Sequence, residues 1–192
     1  MKVLEERIIR EGKTAPGDVL MVGSFLNQQI DVSLGLEMGR EFYRLFRDDG
    51  VTKIFTIESS GIALACFAAT FFRAPVIFAK KAKTSNVSGE VYTASAHSYT
   101  HNCDNTIVIS KEYILPTDRI LIVDDFLAAG SSLSALISIV KDAGATLVGA
   151  GIAIEKEYQG GGNKIRKTGV RVESLAKIAE MSVENGIRFC EK

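Results

Sequence analysis

Between Leu121 and Leu133 the chain reads LIVDDFLAAGSSL. Three apolar residues run into two adjacent carboxylates, Asp124 and Asp125. The small residues Ala128, Ala129, Gly130, Ser131 and Ser132 follow before a new apolar pattern starts. A β-branched apolar run of this kind is a buried strand, here over Arg119–Val123. Beyond the loop, Leu136, Ile137 and Val140 recur at helical spacing and Gly144 stops them, so a helix is expected over Leu133–Ala143. A strand, a loop poor in side chains and a helix in direct succession make half of a β–α–β unit, and such units build parallel sheets.

The rest of the chain keeps to that plan. Helical spacing covers Met1–Glu11, Val32–Phe46 and Gly61–Phe72. Strand-like runs cover Val19–Val22, Lys53–Ile57, Pro75–Ala79, Ile107–Ser110 and Leu147–Ile154. Near-continuous apolar strands suit a sheet with helices on both faces. The expected fold class is therefore α/β, a mainly parallel central sheet flanked by helices, and 192 residues suit one domain. Residues 80–106 fit neither period; a connection of that length points to a functional lid, with 89–95 pairing as a hairpin. Gly160, Gly161 and Gly162 mark a second flexible point.

Composition removes several classes of partner. With 23 basic and 23 acidic residues the formal net charge is zero, which provides no global field for nucleic acid or an anionic membrane. The N-terminal MKVLEERIIREG lacks the apolar core of a signal peptide. The longest apolar run, Ile62–Phe72, falls short of the ~20 residues that span a bilayer. Cys66, Cys103 and Cys190 show no metal-ligand spacing and read as reduced thiols of a cytoplasmic protein.

Ligands of open α/β sheets bind beyond the carboxyl ends of the strands. A small-residue loop entering a helix exposes consecutive amides, which suits a phosphate. The carboxylates cannot serve that phosphate. They suit hydroxyl groups on the same ligand, and a phosphate with a nearby diol is ribose 5-phosphate. Strand alternation aims Asp124 and Asp125 to opposite faces, so both reach one sugar only if the strand ends there. Glu58, Ser59, Ser60 and Gly61 form a second polar loop before a helix; alone, that tetrapeptide reads as a plain serine cap. Glu155 and Lys156 close the strand that follows the sugar-phosphate unit, a place where a lysine is most often a solvated surface charge. The chain has no Walker-type P-loop and no dinucleotide-binding glycine fingerprint. His97 and His101 lie four apart without an adjacent acidic pair, which disfavours a zinc site.

At these residues the chain resembles a known family. Leu121–Ser132 is similar to the phosphoribosyl pyrophosphate motif of the type I phosphoribosyltransferases. Residues 24–31, 56–63, 154–156 and 169–176 resemble the bacterial, xanthine-directed branch of that family. The resemblance implies purine salvage: xanthine and 5-phosphoribosyl 1-pyrophosphate (PRPP) give xanthosine 5'-monophosphate and pyrophosphate. It implies that residues 128–132 hold the 5-phosphate, that Asp124 and Asp125 act at the ribose, and that 58–61 with Lys81 hold pyrophosphate. That loop often carries a non-proline cis peptide. Leu20, Asn27 and Lys156 would form the base pocket, beneath a hood of about 1–35 plus 155–192. Mg²⁺ would arrive with PRPP, without a dedicated protein cage, and a homodimer is implied. Many members carry Thr-Gly where this chain has Ala129-Gly130, one hydroxyl fewer toward phosphate. Guanine or hypoxanthine salvage, and a non-catalytic PRPP sensor on the same fold, are the alternatives.

Overall fold

The computed structural model describes residues 1–81, 89–98 and 103–191. In chain order they form α1 (Lys2–Glu11), β1 (Lys13–Ala15), β2 (Val19–Met21), a short π-turn over Gly23–Asn27, α2 (Val32–Phe46), β3 (Lys53–Ile57) and α3 (Ser60–Phe72). Then come β4 (Val76–Lys81), β5 (Val91–Ser98), β6 (Cys103–Ser110), β7 (Arg119–Leu127), α4 (Ser131–Asp142), β8 (Thr146–Lys156), α5 (Gly161–Arg166), β9 (Val172–Ser182) and β10 (Gly186–Phe189).

The main sheet has eight strands in the order β10-β9-β8-β7-β3-β4-β6-β5. The five central strands, β9 to β4, are parallel; β10 and the β5–β6 pair join antiparallel at the two sides. Alternation along β7 explains the two layers: Leu121 and Val123 pack with α2 and α3, while Ile120 and Ile122 pack with α4. The helices after β3 and β7 thus leave adjacent strands for opposite faces. The crevice between those strand ends is the topological switch point where such sheets bind ligands.

Glycines set how closely the layers approach. A Cβ on Gly39 would lie 2.5 Å from the Phe67 carbonyl oxygen, and one on Gly35 2.3 Å from the Phe67 ring, so α2 seats directly on the α3 backbone. Gly151, inside β8, makes room for Phe42 in the same way. Asp31 starts α2 by accepting the Leu34 amide at 3.1 Å, and Arg7 of α1 meets the same carboxylate at 2.9 Å.

Three expectations are corrected. β7 does not stop at Val123: its pairing with β8 continues to Leu127 opposite Glu155, which carries the strand through the acidic pair. The three glycines 160–162 are not a flexible point. Gly160 turns in the left-handed region (φ +74°), and Gly161 and Gly162 are the buried first turn of α5. The residues expected as a hood divide: α1 packs against β9 and the β1–β2 turn reaches Lys156 at the end of β8, whereas β9 and β10 belong to the main sheet and bury Leu175, Ala176 and Ile178. Within 80–106, Val91–Ser98 and Cys103–Ser110 are paired strands; residues 82–88 and 99–102, His101 among them, lie outside the described residues, as does the side chain of His97. Among the described residues no helix is long and apolar enough to cross a membrane.

Gly39→Ala is expected to cost about 2 kcal/mol, because backbone cannot yield as a side chain can. Thermal denaturation checks this against Gly23→Ala, whose Cβ would meet only the Gln28 side chain at 3.4 Å and should be near neutral.

Candidate active site

A cavity of about 550 Å³ opens at the carboxyl ends of β4, β7 and β8. Ala128, Ala129, Gly130, Ser131 and Ser132 line it, as do Leu20, Asn27 and Lys156, and Lys81 contributes from the end of β4. The structure therefore gathers the sequence-derived phosphate loop and base group around one space of the size small ligands occupy.

The loop conformation follows from its residues. Gly130 caps α4 at φ +89°, a backbone state that costs glycine little, and no side-chain cap takes up the first amides of the helix. Behind the loop stands Gly161, whose amide donates to the Ala128 carbonyl at 3.2 Å. A Cβ on Gly161 would fall 2.2 Å from that oxygen and 2.6 Å from the Gly130 nitrogen. Bare backbone thus supports bare backbone, which fixes where the loop amides point.

The acidic pair lies inside the crevice, not on the lining of the cavity: Asp124 and Asp125 are each only 6% exposed. The Asp124 carboxylate accepts the Asp125 amide at 3.0 Å and crowds Gly61, where a Cβ would lie 2.8 Å from Oδ1. Burial, then the neighbouring charge of Asp125, pushes the Asp124 carboxyl well above the usual carboxylate range. Because β7 continues past both residues, the condition that the strand end at the pair is not met.

The loop after β3 contains a cis peptide between Glu58 and Ser59. Ser59 occupies the cap position of α3 without a side-chain cap bond, so the plain serine cap does not describe it. Glu58 instead ties the end of β3 to the end of β4. Its Oε1 accepts the Lys81 amide at 2.6 Å, and its own amide donates to the Ala79 carbonyl at 3.0 Å. Glu58, Ser59, Ser60 and Gly61 do not line the cavity; Lys81 does.

Lys156 donates to the main-chain carbonyl of Asp18 and lies 5.9 Å from the Phe126 ring centre. Desolvation lowers its pKa from the ordinary 10.5, against a smaller opposing effect of Asp18. Its neighbour Glu155 is fully buried and meets Arg166 through two nitrogens at 2.7 and 2.6 Å, with Ser174 as a further donor. Burial alone would raise Glu155, but Arg166 and Ser174 outweigh it and hold the carboxyl below 4.5. Gly162 leaves room for this pair, since a Cβ there would sit 1.9 Å from Glu155 Oε1.

Reading the sequence overlooked Asp18, Phe126, Gln159 and Asn105, all on the cavity lining. Continuing β7 beyond Val123 would have exposed Phe126. Asp18 and Asn105 arrive through the β1–β2 turn and the β5–β6 pair, which no local pattern brings to the same cavity. Among the described residues no group of three or more His, Cys, Asp or Glu is gathered for a metal ion.

Comparison with known proteins agrees with this geometry. The family model of the phosphoribosyl transferase domain matches residues 34–183. The chain is 47% identical to xanthine phosphoribosyltransferase of Lachnoclostridium phytofermentans over 97% of this chain and 96% of that protein. It is 48% identical to the Bacillus cereus protein of that name over 100% and 97%. Among solved structures, adenine phosphoribosyltransferase from Rhodothermus marinus aligns with a TM-score of 0.73 at 24% identity, covering 92% of this chain and 99% of that one. The Saccharomyces cerevisiae enzyme gives 0.73 at 19%, covering 91% and 99%. At such identities the structural likeness is one of fold.

Two stability measurements follow from the buried charges. Arg166→Met should cost about 3 kcal/mol at neutral pH by stranding Glu155. Glu155 has a depressed folded pKa, so its contribution is present above the ordinary 4.5 and fades as pH falls; the deficit in urea denaturation should shrink in acid. Asp124 has the opposite sign. Its raised folded pKa makes the native state lose stability as pH climbs above 3.8, so Asp124→Asn should melt higher than wild type at neutral pH, with no gain near pH 3.

Proposed function

We infer the activity from one premise: the chain belongs to the phosphoribosyl transferase family, whose domain spans residues 34–183. It is a pentosyltransferase of purine salvage that joins xanthine to PRPP, giving xanthosine 5'-monophosphate and pyrophosphate. The full-length relatives named for that reaction support xanthine as the base. The observation that carries the reading is one cavity lined both by the side-chain-poor loop 128–132 and by Lys156, Leu20 and Asn27.

In this reading the amides of residues 128–132 hold the 5-phosphate, and Ser131 and Ser132 supply hydroxyls where Ala129 has none. The loop Glu58, Ser59, Ser60 and Gly61, with Lys81, receives pyrophosphate. Mg²⁺ enters as part of the PRPP complex, bound mainly by phosphate oxygens and water. Loss of pyrophosphate builds positive charge on the ribose ring, as glycosyl transfer does generally. β7 runs on through the pair, so the ring is assigned to Asp124, which is buried beside Gly61 and whose ionised form is disfavoured by burial and by the neighbouring charge of Asp125. Cationic character on the ring relieves that repulsion, so the interaction strengthens on the way to the transition state.

Lys156 selects the base by what an ammonium cannot do: it donates and never accepts. It suits the 6-oxo group of xanthine and leaves the 6-amino group of adenine facing a second donor. Guanine and hypoxanthine also carry a 6-oxo group, and their salvage is the second reading; a PRPP sensor without turnover is the third. A homodimer belongs to the proposal, supported by the family resemblance and by the exposed ring of Phe78 on β4 (40%), apolar surface that a second copy would cover. Cytoplasmic location is proposed as well, in keeping with the free thiols Cys66 and Cys190.

Product formation should be measured with PRPP, Mg²⁺ and each of xanthine, guanine, hypoxanthine and adenine. Xanthine is expected to give the highest kcat/KM and adenine none; no product from any base would leave the sensor reading. Lys156→Ala should raise the KM for xanthine with little change for PRPP, and Asp124→Asn should lower turnover by ~10²-fold, the scale of one lost preorganised contact.

A further inference from the structure

The turn between β1 and β2 is unusual in its backbone. Ala15 pairs with Val19, so Pro16, Gly17 and Asp18 alone reverse the chain. Gly17 and Asp18 both adopt left-handed conformations, at φ +81° and +59°. Aspartate tolerates that region better than most residues, yet a non-glycine residue there is uncommon and often marks a functional constraint. Both residues line the cavity, and the turn delivers the Asp18 carbonyl to the Lys156 ammonium.

We propose that Asp18 is a positioning residue for base selection, acting through Lys156: its main-chain carbonyl takes one ammonium proton and leaves the other two for the purine. The proposal rests on the reading of Lys156 as the base contact. A lysine side chain has four rotatable bonds, and the ammonium here lies 5.9 Å from the Phe126 ring centre, a contact that does not by itself fix its direction. The Asp18 carbonyl supplies an anchor from a main-chain atom, so the donor is in place before the base arrives. Asp18 and Lys156 lie 138 residues apart, and this bond brings the N-terminal segment into the chemistry of the β8 end. The left-handed turn matters because an extended residue 18 would carry its carbonyl elsewhere.

The test is steady-state kinetics on the full chain with xanthine and PRPP varied separately. Asp18→Val, whose β-branched side chain opposes positive φ, is expected to raise the KM for xanthine about 10-fold, the scale of a charge-assisted hydrogen bond, while the KM for PRPP stays near wild type. Asp18→Gly, which keeps the carbonyl and tolerates the turn, should recover most of that loss. Gly17→Val, which disturbs the same turn from its other residue, should reproduce the split. In a Lys156→Ala background, Asp18→Val should add nothing. An unchanged xanthine KM in Asp18→Val, an equal rise for PRPP, or full additivity with Lys156→Ala would each overturn the proposal. If Lys156→Ala itself leaves xanthine binding intact, the base assignment of Lys156 falls and this inference with it. An impaired Lys156→Ala beside a normal Asp18→Val sinks the turn alone.

Discussion

Glu155 is fully buried at the end of a sheet strand, and it remains charged there because Arg166 meets it with two nitrogens and Ser174 with a hydroxyl. Such a pair contributes less to net stability than its short distances suggest, since both ions lose water. Its larger effect is geometric. Arg166 ends α5, and α5 begins at Gly161 against the phosphate loop. Ser174 belongs to β9, and Glu155 directly precedes Lys156. The loop 128–132, Lys156 and the neighbouring strand β9 are therefore all referred to one fixed point. Gly161 and Gly162 are small because on one side lies the loop backbone and on the other lies this pair.

The opposite side of the crevice carries its charge differently. Glu58 accepts a main-chain amide of β4, so it is a brace with a specific partner. Asp124 has the Asp125 amide and a like-charged neighbour, in a buried place beside Gly61. Glu58 thus has a main-chain donor for its carboxylate, whereas Asp124 is held in a place that disfavours its charged form.

Much of this was legible in the residues. The α2 and β3 boundaries are those the periodicity gives, and the strand–loop–helix at β7 and α4 is where the apolar pattern places it. Leu20, Asn27 and Lys156 meet at one cavity although 129 or more residues separate Lys156 from the other two in the chain, and only the family resemblance linked them. What stayed hidden depended on tertiary contacts. Carboxylates look like the end of a strand, yet pairing with β8 carries β7 through them. Consecutive glycines look flexible until a loop backbone and a buried ion pair press on both sides. A hairpin over 89–95 and a strand over Ile107–Ser110 could be read, but not that 91–98 pairs along its length with 103–110 and, through β6, with β4.

The order of the sheet has a further result. The β3–α3–β4 unit and the β7–α4–β8 unit are separate continuous stretches, joined in the sheet where β3 runs beside β7. A molecule lying across that seam would act as a non-covalent clasp between them. Occupancy then counts toward holding the sheet shut, and rises with ligand concentration relative to its dissociation constant. For such a chain, resistance to unfolding would track the supply of whatever fills the seam.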